Sequence, residues 1–374
     1  MVVGDLASTA RRGCRLAGGP LAQRRSVPDV GSRRPDLYAR CRHRAPGGWR
    51  GGGCGMTAAV QHVLADLDRR LASSPLGRAL RRDYGLASHT TYRVGGPARL
   101  FVTVADLAEL ETLAAIVSGA CGTGPPVPVL VVGRGSNLLV ADRGFDGLAV
   151  ALDSRLTRFD IDGPTVGAAG GALLPVVARA SVEAGLTGFE WAVGVPGTVG
   201  GAVRMNAGGH GSDMSESLID AVTVDLHRGD TAVRAAADLQ LGYRTSDIAA
   251  HEVVASVRLK LRFGDGETSR SGLTEIVHWR RANQPGGRNA GSVFTNPEHA
   301  AAGELIESAG AKGLRVGTAE VSSKHANFIQ SDEGGRASDI VAVMREVRRR
   351  VWNAHGVELS AETHLVGFEP WELP

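Results

Sequence analysis

The chain has 374 residues, 43% hydrophobic and 22% charged, with 51 glycines and a formal net charge of +3. This is room for two or three domains with a sizeable core, and ordinary apolar content without a glycine period excludes a collagen-like or wholly disordered chain. No apolar run approaches the ~20 residues of a membrane-spanning helix, so no membrane insertion is expected.

Charge divides the chain unevenly. Residues 1–55 carry 11 arginines, no lysine and three acidic residues, whereas the remainder carries 31 basic and 36 acidic residues. The leader shows neither helical nor strand periodicity and is broken by Gly-Gly, Arg-Pro and Ala-Pro pairs. It is expected to be disordered, because it buries too little apolar surface to offset its ordering entropy. Three readings compete for it: a basic nucleic-acid arm, a transit peptide, and an over-extended start preceding Met56. The first lacks aromatic or lysine interleaving and the second an amphipathic helix, which leaves the third as the reading adopted. With the rest net acidic, no nucleic-acid partner is expected.

Beyond the leader, residues 60–83 have the apolar spacing of one amphipathic helix. A strand follows at 99–104, a helix at 105–118, and a Gly/Pro-rich break at 119–128. Residues 127–132 form a short apolar strand entering the loop Gly133-Arg-Gly-Ser-Asn, with further strands at 138–141 and 147–152. A helix is expected at 173–184, and strands at 221–227, 232–235 and 253–263. After a linker near 264–266 the pattern changes to helices at 273–283, 300–308 and 338–355, the last N-capped by Ser338. A strand over 357–366 closes the chain. The order suggests an α+β protein of three lobes.

Only Cys121 lies in the body, and the histidines have no metal-binding spacing, so neither a disulfide framework nor a metal site is expected. Cysteine usage fits a reducing, cytoplasmic compartment. Two glycine-rich segments stand out, at 133–137 and 194–208. Glycines let backbone N–H groups converge on an anion. The first segment lacks both the GxGxxG pattern and the P-loop pattern, and an ordinary tight turn is its plain alternative. The second reads as a glycine-laden strand, either approached closely by a ligand or bent at a barrel-like bulge.

The segments Thr91-Tyr-Arg-Val-Gly-Gly, Gly133-Arg-Gly-Ser-Asn, Glu190-Trp-Ala-Val-Gly-Val-Pro-Gly-Thr-Val-Gly-Gly, Tyr243-Arg-Thr-Ser and Gly291-Ser-Val-Phe-Thr-Asn-Pro occur in that order. With Ser323-Lys-His-Ala-Asn-Phe-Ile they resemble the UDP-N-acetylenolpyruvoylglucosamine reductase family over residues 85–369. The resemblance implies a two-lobed FAD-binding fold of the vanillyl-alcohol oxidase (PCMH) type plus a C-terminal α+β substrate-binding lobe. The expected divisions are a leader (1–55), FAD-binding lobes (56–126 and 127–265), a substrate lobe (266–355) and a returning C-terminal strand (356–374).

By the same resemblance, FAD is held non-covalently by Gly133, Arg134, Gly135, Ser136, Asn137 and Leu138, together with Pro196, Gly197, Thr198, Gly200, Gly201 and Asn206. The first loop has no histidine to carry a covalent flavin. NADPH and the UDP-sugar share one cavity in turn, and a monomer is expected. Ser292 matches the proton donor, Arg244 the stabiliser of carboxylate charge, and Glu362 the glutamate that assists enolate stabilisation or protonation. Tyr243, Arg280, Arg281, Asn296, Lys324 and His325 are the candidates for substrate binding. Asn283 stands where many relatives carry lysine, with Arg288 as the expected compensating cation. The 45 residues from 247 to 291 contain no tyrosine, which matches the shorter family type without a tyrosine-bearing lid. A sugar or lactone oxidase on the same fold is the alternative activity, and a non-catalytic nucleotide-binding module is a third reading.

Overall fold

The computed structural model describes residues 58–122 and 124–374; the leader lies outside them. Helix α1 (Ala58–Ala72) buries Leu64, Leu67 and Leu71 on one face. The single helix expected over 60–83 ends there. Ser74 accepts a hydrogen bond from the Leu76 N–H, and Pro75 opens a 3-10 turn, so the chain leaves the helix axis before strand β1 (Leu80–Gly85). β1 pairs antiparallel with β2 (Pro97–Val104). Asp106 caps α2 (Leu107–Cys121) by accepting from the Glu109 N–H. Strands β3 (Val129–Val132), β4 (Leu138–Val140) and β5 (Phe145–Leu152) follow. The four-stranded sheet has the order β1-β2-β5-β3, its last two pairings parallel, and this sheet with its helices is the first lobe, running past residue 127 to Leu152. Leu100, Val102, Leu148 and Val150 from the sheet meet Leu110, Leu113 and Val117 of α2 in the first core.

The second lobe is an antiparallel sheet of β6 (Phe159–Asp162), β7 (Thr165–Ala169), β8 (Leu218–Asp225), β9 (Asp230–Ala235) and β10 (Glu252–Lys260), in the order β9-β8-β10-β7-β6. The strand expected over 253–263 breaks at Leu261, and Arg262–Phe263 pairs instead with Leu186–Thr187. The short α4 (Val199–Arg204) lies on this sheet, and helix α3 (Leu174–Glu183) joins the same core through Leu174, Val177, Ala178 and Val182. The second glycine segment is therefore not a strand: it turns into α4, whose Gly200 N–H donates to the Gly170 carbonyl at 2.8 Å. A Cβ on Gly200 would sit 3.0 Å from that oxygen. Helix α5 (Gly266–Asn283), capped by Asp265, begins earlier than expected. It packs on the second lobe through Leu273, Ile276 and Val277, and Ser269 donates to Glu190 at 2.7 Å.

The third lobe contains α6 (Ala302–Ser308), a small sheet of β11 (Arg315–Val316), β12 (Ala319–Val321) and β13 (Ile329–Ser331), and α7 (Ala337–His355). The expected face of α7, with Ile340, Val343, Met344, Val347 and Val351, is buried. Its N-terminus differs from expectation. Ser338 lies inside the helix, and the N–H groups of Ala337 and Ser338 donate to the Asp142 carboxylate of the first lobe at 2.7 and 3.0 Å. Tyr92, Val94 and Leu139 also reach into the third core. The final strand β14 (His364–Val366) is shorter than expected and lies parallel to β4. Among the described residues, no helix is long and apolar enough to cross a membrane, and no cluster of His, Cys, Asp and Glu could hold a metal.

Candidate active site

The loop 133–137 joins β3 to β4, and none of its five backbone N–H groups is donated to another group of the described residues. Gly135 has φ +59°, and a Cβ there would lie 2.2 Å from the His89 carbonyl oxygen, so the turn requires glycine. The second glycine segment lies against this loop. Ser136 Oγ donates to the Pro196 carbonyl at 2.7 Å, and a Cβ on Gly133 would reach within 2.7 Å of Thr198 Oγ1. Thr198 caps α4 by accepting from the Gly201 N–H at 3.3 Å, and Gly197 has φ +144°. A row of uncommitted amides at a glycine turn, beside a second glycine turn, is the donor chemistry of a diphosphate cradle. The residues present fit FAD in that respect. Arg134 is exposed at the loop tip, and Leu138 packs half-buried beneath it.

The end of the chain is stitched to this loop. Asn137 Nδ2 donates to the Glu362 carbonyl at 3.0 Å, and the His364 N–H donates to the Asn137 carbonyl at 2.9 Å. On its other side the Glu362 N–H donates to the Val293 carbonyl at 2.8 Å, and Phe294 forms a bridge with Ala361. Glu362 is thereby fixed between the proposed cofactor loop and the segment bearing Ser292. Ser292 is partly exposed, and its hydroxyl is uncommitted among the described residues.

Arg244 completes the group. Its Nε lies 3.0 Å from Glu362 Oε1, the two side chains being 25% and 16% exposed. The Nε–H is not aimed at the oxygen, so the contact is an ion pair rather than a well-formed hydrogen bond. Arg244 Nη2 donates to the Gly208 carbonyl at 2.9 Å. The residue has φ +56°, a left-handed backbone that an arginine adopts only when its surroundings impose it. Burial pushes the Glu362 carboxyl above the usual carboxylate range, and the Arg244 charge opposes this without cancelling it.

The remaining candidates divide by what holds them. Asn206, buried with φ +38°, spends its amide inside the protein: Oδ1 accepts from the Ser215 N–H at 3.0 Å. Its Nδ2 donates to Asp213 Oδ2 at 3.2 Å and to the Gly242 carbonyl at 3.0 Å. It supports the turn that presents Arg244. Tyr243 is 61% exposed, with the Arg244 guanidinium 5.3 Å from its ring centre. Arg280 Nε donates to Gln284 Oε1 at 2.8 Å, and burial lowers its pKa. Lys324 Nζ donates to the Arg281 carbonyl. His325 Nδ1 accepts from the Asn327 N–H at 3.2 Å, and burial favours its neutral form. Asn296 accepts from the Ala302 N–H at 3.0 Å at the start of α6. Arg288 pairs with Glu333 at 3.2 Å, and Asn283 donates to the Trp279 carbonyl at 2.8 Å.

Two residues that sequence reasoning passed over belong to this framework: Asp142, which ties α7 to the first lobe, and Asn327, which grips the Ser292 segment. Asn327 lay within a segment quoted for the resemblance, but only its neighbours carried charge or an imidazole to draw attention.

Comparison with known proteins agrees with this geometry. Residues 99–232 match the FAD binding domain, and residues 283–366 match the UDP-N-acetylenolpyruvoylglucosamine reductase C-terminal domain. The UDP-N-acetylenolpyruvoylglucosamine reductase of Synechococcus sp. (strain RCC307) is 42% identical over 299 residues, covering 78% of this chain and 96% of that protein. Reductase 2 of Symbiobacterium thermophilum is 40% identical, covering 83% and 99%. The crystal structure of the Thermus caldophilus reductase superposes with a TM-score of 0.67 at 34% identity, covering 77% of this chain and 98% of that one. The chain belongs to the UDP-N-acetylenolpyruvoylglucosamine reductase family.

Proposed function

We propose that this chain reduces the enolpyruvyl group of UDP-N-acetylenolpyruvoylglucosamine to give UDP-N-acetylmuramate, with non-covalent FAD and with NADPH as the hydride source. The observation that carries the reading is the Arg244–Glu362 pair, fixed between the loop of free amides at 133–137 and the Ser292 segment. FAD, when bound, supplies the two-electron relay between NADPH and the vinyl group. The loops at 133–138 and 196–201 would hold its diphosphate and orient it.

Addition of hydride to the terminal vinyl carbon places negative charge on the substrate carboxylate as an enolate. Arg244 meets that charge with a guanidinium already held by Gly208 and by its strained backbone, so little reorganisation is required. Glu362 is buried and already resists ionisation; a substrate carboxylate arriving beside it drives it further towards the neutral acid, which can donate to the enolate. Ser292 then delivers its proton to the adjacent carbon. A serine hydroxyl is a weak acid, and it serves here only because the enolate is strongly basic and held against it. Arg280, Arg281, Lys324 and His325 supply the cationic and polar groups for the sugar-nucleotide diphosphate, and Tyr243 and Asn296 border that region. We further propose that the chain acts as a monomer in the cytoplasm, with NADPH and the UDP-sugar using one cavity in turn.

Rapid mixing tests the reading. Ser292→Ala is expected to be reduced by NADPH at the wild-type rate, and to be reoxidised by the enolpyruvyl sugar nucleotide on the order of 10²–10⁴-fold more slowly. Equal reoxidation by variant and wild type would remove Ser292 from the mechanism. Oxygen consumption driven by a sugar or lactone, without reoxidation by the sugar nucleotide, would establish the oxidase instead.

A further inference from the structure

We infer that Asn327 is the positioning residue for Ser292, holding the backbone beyond the serine so that its hydroxyl faces the reacting carbon; the inference rests on the role proposed for Ser292. Asn327 is 4% exposed, too deeply buried to be a substrate contact. Its side chain behaves as a surrogate peptide group. Oδ1 accepts from the Phe294 N–H at 3.0 Å, and Nδ2 donates to the Phe294 carbonyl at 2.8 Å. Its own backbone carbonyl accepts from the Val293 N–H at 2.9 Å. One residue therefore satisfies three of the four main-chain groups of Val293 and Phe294. The fourth, the Val293 carbonyl, accepts from the Glu362 N–H at 2.8 Å.

The segment following Ser292 is thus clamped from two sides, by Asn327 and by the strand-like stretch bearing Glu362. Val293 and Phe294 are themselves buried, at 0% and 1% exposure, so the segment cannot turn to water if one clamp is lost. Ser292 is the first residue outside the clamp, and its hydroxyl is left free. Only a primary amide offers a donor and an acceptor on one short, planar group. Aspartate would set an acceptor against the Phe294 carbonyl, and leucine would satisfy neither group. The Asn327 N–H is in turn accepted by His325 Nδ1, which fixes the neutral His325 with its proton on Nε2. The same residue thereby couples the Ser292 segment to the loop of Lys324 and His325.

Loss of Asn327 leaves the pairing with residues 360–363 in place, so Ser292 remains near Glu362 but no longer in a single orientation. A misplacement of this kind costs on the order of 10²-fold in the step it serves. The test compares Asn327→Leu, Asn327→Asp, Ser292→Ala and the double variant Ser292→Ala/Asn327→Leu, each as FAD-loaded enzyme, with flavin content and thermal midpoint recorded. In Asn327→Leu, reduction by NADPH is expected to stay within about twofold of wild type, while reoxidation by the enolpyruvyl sugar nucleotide slows by ~10²-fold. Asn327→Asp, which keeps the acceptor for Phe294 N–H, is expected to fall between; it carries the test alone should the leucine variant not fold.

The double variant is decisive. If Asn327 acts through Ser292, adding Asn327→Leu to Ser292→Ala slows reoxidation by no more than about twofold. An equal further loss in that background shows that Asn327 acts independently, and wild-type reoxidation in both Asn327 variants shows that it positions nothing; either result overturns the inference. A normal rate in Ser292→Ala overturns the serine assignment, and the inference with it. A slow Ser292→Ala beside normal Asn327 variants overturns the inference alone.

Discussion

Glu362 is subject to two opposed demands at the scale of single residues: burial discourages its charge, and Arg244 encourages it. Arg244→Gln removes the encouragement, so the protonation midpoint of Glu362, followed by its carboxyl infrared band, is expected to move upward. Turnover should fall on the order of 10²–10³-fold as the developing enolate loses its fixed cation. His364, two residues along, is held neutral chiefly by burial and further by the nearby Arg204 charge, with its pKa pulled down to about 4. Its Nε2 lies 3.1 Å from Met205 Sδ. A base depressed in this way leaves stability intact above its unfolded pKa of ~6.5, and the contribution is lost as pH falls towards the folded value. The loss amounts to about 3 kcal/mol. Urea titrations at pH 7 and pH 4.5 should show this loss in wild type and a much smaller one in His364→Gln. The catalytic candidates were legible in the sequence because charged and hydroxyl side chains recur in recognisable strings. Asn327 and Asn206 were not legible as structural clamps, because the groups they hold are main-chain atoms that only the tertiary fold brings near.

Secondary-structure elements were legible wherever one face alone is buried, as in α7, and were misread where local chemistry interrupts a continuing apolar pattern. Leu76 lies five residues beyond Leu71, off the face that Leu67 and Leu71 share, and Ser74 and Pro75 turn the chain before it. The glycine segment ending at residue 208 reads as a glycine-laden strand, and glycine is also a poor helix former. Close approach of α4 to Gly170 overrides that preference. The start of α7 is the clearest case of a signal absent from the local sequence. Its first N–H groups find their acceptor in Asp142, 195 residues earlier. Asp142→Ala removes both hydrogen bonds and a negative charge at the helix N-terminus. It is expected to cost about 1–2 kcal/mol, measured by urea denaturation, with Asp142→Asn intermediate.

The described residues bury four apolar clusters, and neighbouring clusters share strands, β2, β3 and β5 each contributing to both the first and the fourth. Tyr92 and Val94 pass from the first lobe into the third core, and α5 leans on the second lobe although it precedes the third. The docking of α5 on the second lobe was not legible from the change in sequence pattern near residue 265, because its apolar face is the same whichever lobe it covers. The closing strand β14 joins the chain end to β4. Truncation after Thr363 removes that pairing while leaving the first and second cores complete. The shortened chain is expected to retain FAD binding and reduction by NADPH, and to lose reoxidation by the sugar nucleotide on the order of 10²-fold, with flavin absorbance separating the two steps.

The bond from Asn137 to Glu362 spans 225 positions of the chain, and this has a consequence for synthesis on the ribosome. The amide-rich loop and both sheets of the first two lobes are complete long before Glu362 is made. A nascent chain can therefore complete its FAD-binding half early, while the half proposed to handle the proton closes only as the last residues emerge. A ribosome stalled shortly before residue 362 should carry a chain able to bind FAD yet unable to turn over, and release of the final segment should switch on activity without any further folding of the lobes already in place.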